Sequence, residues 1–121
     1  MVYSLRPDAR LAIVTYRMQP NFEEWSRTLR QLFSEPAFER GFSILFDRSR
    51  VLHPASVQYL EQAVKFLDEH IVNGTIRRWA AVAGDLASFG MGRMAEQITN
   101  CDDSNRSFHN TAEAEAWLLS A

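Results

Sequence analysis

Residues 41–67 read GFSILFDRSRVLHPASVQYLEQAVKFL, and they hold the clearest structural pattern in the chain. An apolar run ends in Asp47, and after a short polar loop apolar residues recur at helical spacing from Val57 to Leu67. A buried strand that leads into an amphipathic helix is typical of α/β proteins with a mostly parallel sheet. Because ligands and partners of such sheets bind beyond the carboxyl ends of the strands, we expect a functional site around Asp47.

The remainder of the chain alternates in the same way between β-rich runs and helical periodicity. The runs 2–5 and 10–16 flank Pro7 and Asp8, which favour a turn, so they predict an antiparallel hairpin. The expected order is β-β-α-β-α-β-α-β-α, an α/β fold with a mostly parallel sheet, an antiparallel first strand and flanking helices. Further strands are predicted at 41–47, 76–83 and 107–109, a loop at 84–90, and helices from Asn21 to near Ser34, from Pro54 to Asn73, from Met91 to Asn100 and after the capping residue Asn110.

Composition and charge limit the classes of protein to which the chain can belong. Its 121 residues, 46% hydrophobic and 23% charged, fit one globular domain, 1–121. Acidic and basic residues are interleaved and the net charge is −2, so nucleic acid is not an expected partner. A single cysteine, Cys101, and no basic-then-apolar start predict a cytoplasmic protein, and no apolar run approaches the roughly 20 residues of a transmembrane segment. The scattered histidines lack zinc-type spacing, so no metal and no cofactor is expected.

Four motifs are spread over nearly the whole chain. They are the Asp47 strand–loop–helix step, Val82-Ala83, Phe89 with Met91, Arg93 and Met94, and Phe108 with Glu113, Ala114, Trp117 and Leu118. With these motifs the chain resembles the STAS superfamily of anti-anti-sigma-factor-like domains, and more closely its stand-alone SpoIIAA-like branch, often described as STAS/SEC14-like. The resemblance implies the SpoIIAA-like fold and a non-enzymatic regulatory domain that binds a protein partner or itself. The SEC14-like comparison implies an alternative, a carrier of a small nonpolar molecule.

The resemblance also concerns a phosphorylation switch at the start of the second predicted helix. In the anti-sigma-factor antagonists this junction resembles D-x-S-x-x-x-x-x-D-S-S-G, and the second serine of the pair is phosphorylated to control binding to a partner kinase. Asp47 and Ser49 match the start of that pattern, but the regulated position falls on Val57, which has no hydroxyl. We therefore expect an interaction module without an intact switch, with Ser56 as the candidate phosphoacceptor under a one-residue shift.

Polar residues near the ends of two predicted strands are candidates for binding or catalysis. Asp47 and His53 share a loop and could orient a ligand or transfer a proton, or Asp47 could accept hydrogen bonds from the loop backbone. Ser56 could bind an anion at the helix start or act as its N-cap. Asp85 and Ser88 are expected beside the Asp47 loop if their strands are neighbours. The candidate partner-binding or ligand-binding residues are Asp47, Ser49, His53, Ser56, Asp85, Ser88, Phe89 and Met91.

Apolar residues offer a second kind of site. Phe66, Phe89, Met91 and Met94, with Tyr59 beside them, either belong to the core or line a nonpolar pocket or an interaction surface; a carrier of a nonpolar molecule would use the first four. Tyr59 and Phe66 lie one heptad apart, off the main apolar stripe, and form a candidate patch for self-association.

Two weaker signals point to other chemistries. A hydrolase that uses Asp47 and His53 ranks last because no set of nucleophile, base and orienting residue is evident, so an enzyme is not expected. Gly90 and Gly92 match part of a phosphate-binding loop, but without a third glycine they more simply indicate close packing of a helix.

Overall fold

Five strands and four helices follow one another in the order that the sequence predicts. The computed structural model describes residues 1–120, in which a short 3-10 turn, Pro7–Ala9, links the first two strands. The strands are β1 (Val2–Arg6), β2 (Leu11–Thr15), β3 (Phe42–Arg48), β4 (Ile76–Ala83) and β5 (Asn105–Phe108), and the helices are α1 (Phe22–Phe33), α2 (Val57–Val72), α3 (Leu86–Ile98) and α4 (Thr111–Leu119). Among the helices of residues 1–120, none combines the length and the hydropathy that crossing a membrane requires.

The sheet contains its strands in sequence order, β1-β2-β3-β4-β5. β1 pairs antiparallel with β2 and the other pairs are parallel, which confirms the predicted mixed sheet. Because each parallel connection steps in the same direction, right-handed crossovers put α1, α2 and α3 on one face. α4 packs on the other face, where Ala114 and Leu118 contact β3 and β4. β5 begins two residues earlier than predicted, because Asn105 already pairs with Trp79 of β4.

An aromatic cluster joins α1 and α2 to the sheet. The centroid of the Trp25 ring lies 5.9 Å from that of Phe46, 5.4 Å from that of Phe66 and 6.2 Å from that of Tyr59. Phe66 is only 6% exposed, so the prediction of a surface patch at Tyr59 and Phe66 is wrong. The reason is that α2 packs on α1 as well as on the sheet, with Phe33 stacked on Phe66, and a helix with two neighbours buries two stripes.

Polar side chains cap the starts of all four helices. Asn21 and Asn110 do so as predicted, each accepting a hydrogen bond from the backbone N–H three residues later. Ser56 caps α2 in the same way. The helix therefore begins at Val57 rather than in a first turn at Pro54, as the sequence had predicted.

The start of α3 differs most from the prediction. The Oδ1 atom of Asp85 accepts the backbone N–H of Ser88 at 2.6 Å, and this cap starts the helix at Leu86 instead of Met91. Residues 86–90, part of the segment 84–90 predicted as a loop, therefore form the first helical turn.

Candidate functional site

The loops at the carboxyl ends of β3 and β4 lie against each other. A Cβ atom on Gly84 would lie 2.4 Å from the carbonyl oxygen of Ser49, so only glycine permits this approach. The contact brings the start of α3 beside the Asp47 loop, as predicted for neighbouring strands. We call residues 47–56 and 84–88 together the rim.

The carboxylate of Asp47 makes its hydrogen bond within the rim, where its Oδ1 atom accepts the backbone N–H of Ser49 at 3.0 Å. Its backbone carbonyl oxygen accepts the N–H of Tyr16, beyond the end of β2, at 3.0 Å. The bond to Ser49 confirms the expected alternative in which the carboxylate stabilises the loop. Within residues 1–120 no hydrogen bond joins Asp47 to His53, whose Nδ1 atom lies 3.4 Å from the carbonyl oxygen of Pro54. The two side chains of the hydrolase hypothesis are therefore not in hydrogen-bond contact.

The carboxyl group of Asp85 in the rim has a lowered pKa. Hydrogen bonds from the backbone N–H and the hydroxyl of Ser88 lower the pKa of Asp85, and the nearby charges of His53 and Arg48 lower this pKa as well. His53 therefore acts electrostatically on Asp85.

The lowered pKa predicts how Asp85 contributes to stability at low pH. A carboxyl group with a lower pKa in the folded chain stabilises the fold above its ordinary value of 3.8, and that stabilisation is lost as the pH falls through the lower folded pKa. Since asparagine can also cap a helix, Asp85→Asn removes mainly the charge. We expect the difference in unfolding free energy between wild type and Asp85→Asn to shrink as the pH falls below the ordinary pKa of Asp85. Urea unfolding between pH 2 and pH 7 measures it, with the exposed Asp8→Asn as the control; a difference that persists at the acid end contradicts the prediction.

A cavity of about 70 Å³ lies below the rim, between α2, α3 and the sheet. Its wall is mostly apolar, and α2 contributes the largest share of it through Leu60, Val64 and Leu67. Trp25 of α1 and Met91 of α3 also line it. The cavity thus lies between these helices and the face of the sheet, and Tyr16 and Arg48 at the carboxyl ends of β2 and β3 form its edge toward the rim.

Of the four apolar residues predicted to share a pocket, only Met91 lines this cavity. Phe66 lies in the core beside α1, and the Phe89 ring stacks on His109 with 3.9 Å between the ring centroids. Met94 is half-buried on α3 and outside the cavity wall. The prediction of one pocket formed by all four is wrong because α1 and the end of β5 draw the two phenylalanine rings to separate places.

Two residues that line the cavity have a buried side-chain nitrogen without a hydrogen-bond partner. They are Arg48, at Nη2, and Trp79, at Nε1. The hydroxyls of Tyr59 and Ser88 lie beside hydrogen-bonding side chains, Gln19 and Tyr16 for Tyr59 and Asp85 for Ser88. A buried polar atom without a partner costs about 1–3 kcal/mol, and most such atoms in proteins are paired.

Two polar groups on the rim side of the cavity, the indole N–H of Trp25 and Nη1 of Arg48, have hydrogen-bond partners that hold their side chains in place. Nε1 of Trp25 donates to the hydroxyl of Tyr16 at 2.8 Å. The guanidinium of Arg48 lies 5.3 Å from the centroid of the Tyr16 ring, and its Nη1 atom donates to Gln19. Arg48, Tyr16 and Tyr59 therefore form a polar group around one end of an apolar cavity.

Sequence reasoning named Tyr59 as a residue that could line a nonpolar pocket, but it missed Tyr16, Trp25 and Trp79 as wall residues. One local signal was present, since Tyr16 directly follows the apolar run of β2 at a strand end. Trp79 gives a second local signal, because it is the one large aromatic residue in a strand otherwise rich in alanine. The rest of the wall comes from separate elements that only the fold brings together.

Burial keeps the tyrosines of the site protonated. Burial raises the pKa of Tyr59 to about 12, and it raises the pKa of Tyr16 well above the ordinary value of 10.0. In β1 a hydrogen bond from Tyr3 to the Glu35 carboxylate, 2.6 Å long, raises the pKa of Tyr3. The phenol groups of the site are therefore hydrogen-bond donors at neutral pH.

These shifts predict the ultraviolet titration of the chain, which contains three tyrosines, all with raised pKa values. A raised folded pKa stabilises the fold below the unfolded value of 10.0, and that stabilisation is lost as the pH rises through the folded pKa. We expect the midpoint of tyrosinate absorbance of the folded chain to lie above pH 10.0, and the part that comes from the buried Tyr16 and Tyr59 to accompany alkaline unfolding followed by circular dichroism. The urea-unfolded chain is the control. A folded-state step at the ordinary value contradicts the prediction.

Within residues 1–120 no group of three or more histidine, cysteine, aspartate or glutamate side chains is placed to hold a metal ion. Comparisons with models of known protein families, with curated proteins and with solved structures gave no match for this chain.

Proposed function

We propose that this chain is a non-enzymatic domain of STAS type that binds a small, largely nonpolar molecule in the cavity below the rim. The observation that carries the proposal is the mostly apolar cavity of about 70 Å³ beside the polar side chains of Tyr16, Arg48 and Tyr59. An apolar cavity with a few polar groups is the usual form of a small-molecule site, because the apolar wall supplies affinity and the polar groups supply orientation.

The sequence supports the same proposal. The resemblance to STAS/SEC14-like domains implies a carrier of a nonpolar molecule as one of two functions. The position that is phosphorylated in the antagonists corresponds to Val57 of this chain, which has no hydroxyl. The hydroxyl of Ser56 caps α2 by accepting the N–H of Tyr59 at 3.1 Å. Phosphorylation of Ser56 is a separate proposal, and a phosphate on its Oγ atom would replace the hydroxyl that caps α2.

Nuclear magnetic resonance of the indole N–H groups tests the proposal. Trp25 and Trp79 line the cavity, whereas Trp117 lies on the opposite face of the sheet and is an internal reference. We expect 1-pentanol to shift the signals of Trp25 and Trp79 in a saturable manner and to leave that of Trp117 unchanged.

A cavity-filling variant provides the control for this titration. Ala63 lines the cavity, so Ala63→Met is expected to fill part of it and to weaken the response to 1-pentanol. Ala112→Met, on the exposed side of α4, makes the same change far from the site and should respond like the wild type. Equal responses of the three proteins, or no response of the wild type, contradict the proposal.

A second candidate function is protein binding at the rim, with a second copy of the chain as the simplest partner. It is favoured by large apolar side chains that are exposed at this end of the sheet, Leu52 at 70% and Leu86 at 82%. We expect sedimentation velocity to show concentration-dependent association that Leu86→Asp abolishes. Val72→Asp, equally exposed at 81% but at the opposite end of α2, is the matched control. A monomer at all concentrations contradicts self-association.

A further inference from the structure

We propose that a pocket of about 130 Å³ at the amino ends of β2, β3 and β4 binds the phosphate group of a small phosphomonoester. This pocket lies on the α4 face of the sheet, so it differs from the cavity below the rim both in its face and in its end of the sheet. Arg10, Ser43 and Arg77 supply its polar wall, and Leu118 and Leu119 of α4 supply much of its apolar wall. The proposal therefore assigns a second site and does not depend on the proposed function.

The hydroxyl of Ser43 is the observation that points to a ligand. Ser43 is only 4% exposed, and its hydroxyl forms no hydrogen bond within residues 1–120. Unlike the shielded, unpartnered nitrogens of Arg48 and Trp79, this oxygen keeps accessible surface, which opens into the pocket that Ser43 lines. Because buried polar groups in proteins are nearly always paired, the hydroxyl is placed to bind a group that enters from the pocket.

A β-bulge directs arginine side chains to the same place. Between two consecutive register pairs, β3 contributes one residue, Ser43, whereas β4 contributes two, Arg77 and Arg78. Such a bulge interrupts the alternation of side chains between the two faces of a sheet and changes the direction of one of them. Both guanidinium groups consequently donate to carbonyl oxygens at the end of α4, Arg77 to Leu118 at 3.4 Å and both arginines to Ser120. The bulge thus places the Arg77 cation at the pocket that Ser43 lines.

Arg10 supplies a second guanidinium from the turn before β2. Its φ of 51° is a left-handed conformation that residues other than glycine adopt only rarely, and the backbone N–H of Ser43 donates to its carbonyl oxygen at 3.0 Å. Its Nη1 atom donates to Glu39 at 3.1 Å, and its Nη2 atom donates to the carbonyl oxygen of Arg40. The ion pair with Glu39 is exposed and therefore weak, and a guanidinium has more N–H donors than these bonds use. Arg10 therefore has donors left for a ligand.

The charges around the pocket favour an anion. No aspartate or glutamate of residues 1–120 lines the pocket, and Arg77 forms no ion pair within the same residues. Burial lowers the pKa of the neighbouring Arg78, and the charges of Arg77 and Arg106 lower this pKa further, so the cations at this end of the sheet repel one another. A bound anion reduces that repulsion and accepts charge-assisted hydrogen bonds, which are stronger than neutral ones.

The arrangement of the donors favours a phosphate group over a carboxylate. Arg10, Ser43 and Arg77 reach the pocket from the turn before β2, from β3 and from β4. A phosphomonoester has three strong acceptor oxygens, one for each of these side chains, whereas the two oxygens of a carboxylate lie in one plane. A water-sized group needs roughly 10–15 Å³, so 130 Å³ admits a phosphate group with a short alkyl substituent in contact with Leu118 and Leu119.

The experiment compares propyl phosphate, inorganic phosphate and butanoate by isothermal titration calorimetry in about 0.15 M salt, where exposed charges are largely screened. We expect propyl phosphate to bind most tightly, because it combines the phosphate group with an alkyl group. It should shift the methyl signals of Leu118 and Leu119, which line the pocket, and leave those of Leu52 and Leu86 at the rim unchanged.

Two arginine variants test the cation. Arg77→Gln is expected to weaken the binding of propyl phosphate about tenfold or more, the usual effect of losing a hydrogen bond to a charged group. Arg50→Gln makes the same change in charge at an exposed position of the rim, outside the pocket wall, and should bind like the wild type.

Ser43→Ala keeps the test decisive if Arg77→Gln loosens the end of α4. It removes a hydroxyl that has no partner within residues 1–120, so we expect propyl phosphate to bind severalfold more weakly while the free energy of unfolding without ligand stays unchanged. A merely structural serine would not show this combination.

Four outcomes contradict the proposal. No binding of propyl phosphate to the wild type, unchanged affinity in Ser43→Ala or in Arg77→Gln, and equal affinity for butanoate and propyl phosphate each overturn the phosphate site. Equal affinity for inorganic phosphate and propyl phosphate overturns the assignment of an ester. The response of the Trp25 and Trp79 indoles to 1-pentanol is read on the other face of the sheet, so the proposed function stands or fails separately.

Discussion

Trp25→Ala is expected to lower the free energy of unfolding by about 3–5 kcal/mol, the range for removing a large aromatic side chain from a core. Trp25 is 2% exposed and lies between α2 and the sheet, with its ring near those of Phe46 and Phe66. Chemical denaturation followed by circular dichroism measures the loss. Val2→Ala, at an exposed position of the edge strand β1, is the control and should change stability by less than about 0.5 kcal/mol.

Two further variants separate packing from hydrogen bonding at Trp25. Trp25→Phe keeps an aromatic ring but removes the indole N–H that donates to Tyr16. Tyr16→Phe keeps the indole and leaves its buried N–H without an acceptor, which is expected to cost about 1–3 kcal/mol. If Trp25→Ala costs no more than Tyr16→Phe, ring packing is not the main contribution, and the account of the α1–α2 cluster is wrong.

The fold could be predicted from the sequence because its determinants are local. Asn21 and Asn110 cap helices through atoms three residues away, and the run that ends in Asp47 needs no information from the rest of the chain to be recognised as a buried strand. Asp85 gives an equally local signal. The segment 84–90 was nevertheless predicted as a loop, because it contains two glycines and glycines favour a loop when their surroundings are unknown.

The cavity could not be predicted, since its wall depends on contacts between distant elements. Periodicity identified Phe66 as lying off the main stripe of α2, but it could not indicate that α1 covers that second stripe. Trp79 and Tyr59 come together only through the parallel pairing of β3 with β4 and the packing of α2 on the sheet. Of the predicted candidates, Ser88 and Met91 line the cavity, whereas Tyr16, Trp25 and Trp79 belong to elements from which no candidate was drawn.

Gly92→Ala and Gly90→Ala are expected to have opposite effects on stability, although both glycines lie in α3. A Cβ atom on Gly92 would lie 1.8 Å from Oγ and 2.9 Å from Cβ of Ser107 in β5, so the helix must move away from the sheet. Such overpacking typically costs about 1–3 kcal/mol and sometimes more. A Cβ on Gly90 meets no atom within 4 Å, and alanine there should stabilise the helix by up to about 1 kcal/mol. Comparison of the two variants therefore shows the effect of the same substitution with and without a neighbouring side chain.

The contact with Ser107 can be tested directly, because Ser107→Gly removes both atoms that a Cβ on Gly92 would strike. In a double-mutant cycle read by urea unfolding, Gly92→Ala should cost much less in the Ser107→Gly background than in the wild type. Since Gly92 also lines the cavity, a helix displaced by Gly92→Ala should change the response to 1-pentanol, and the double variant should restore it. Equal costs of Gly92→Ala in the two backgrounds would mean that contact with β5 is not what requires glycine at this position.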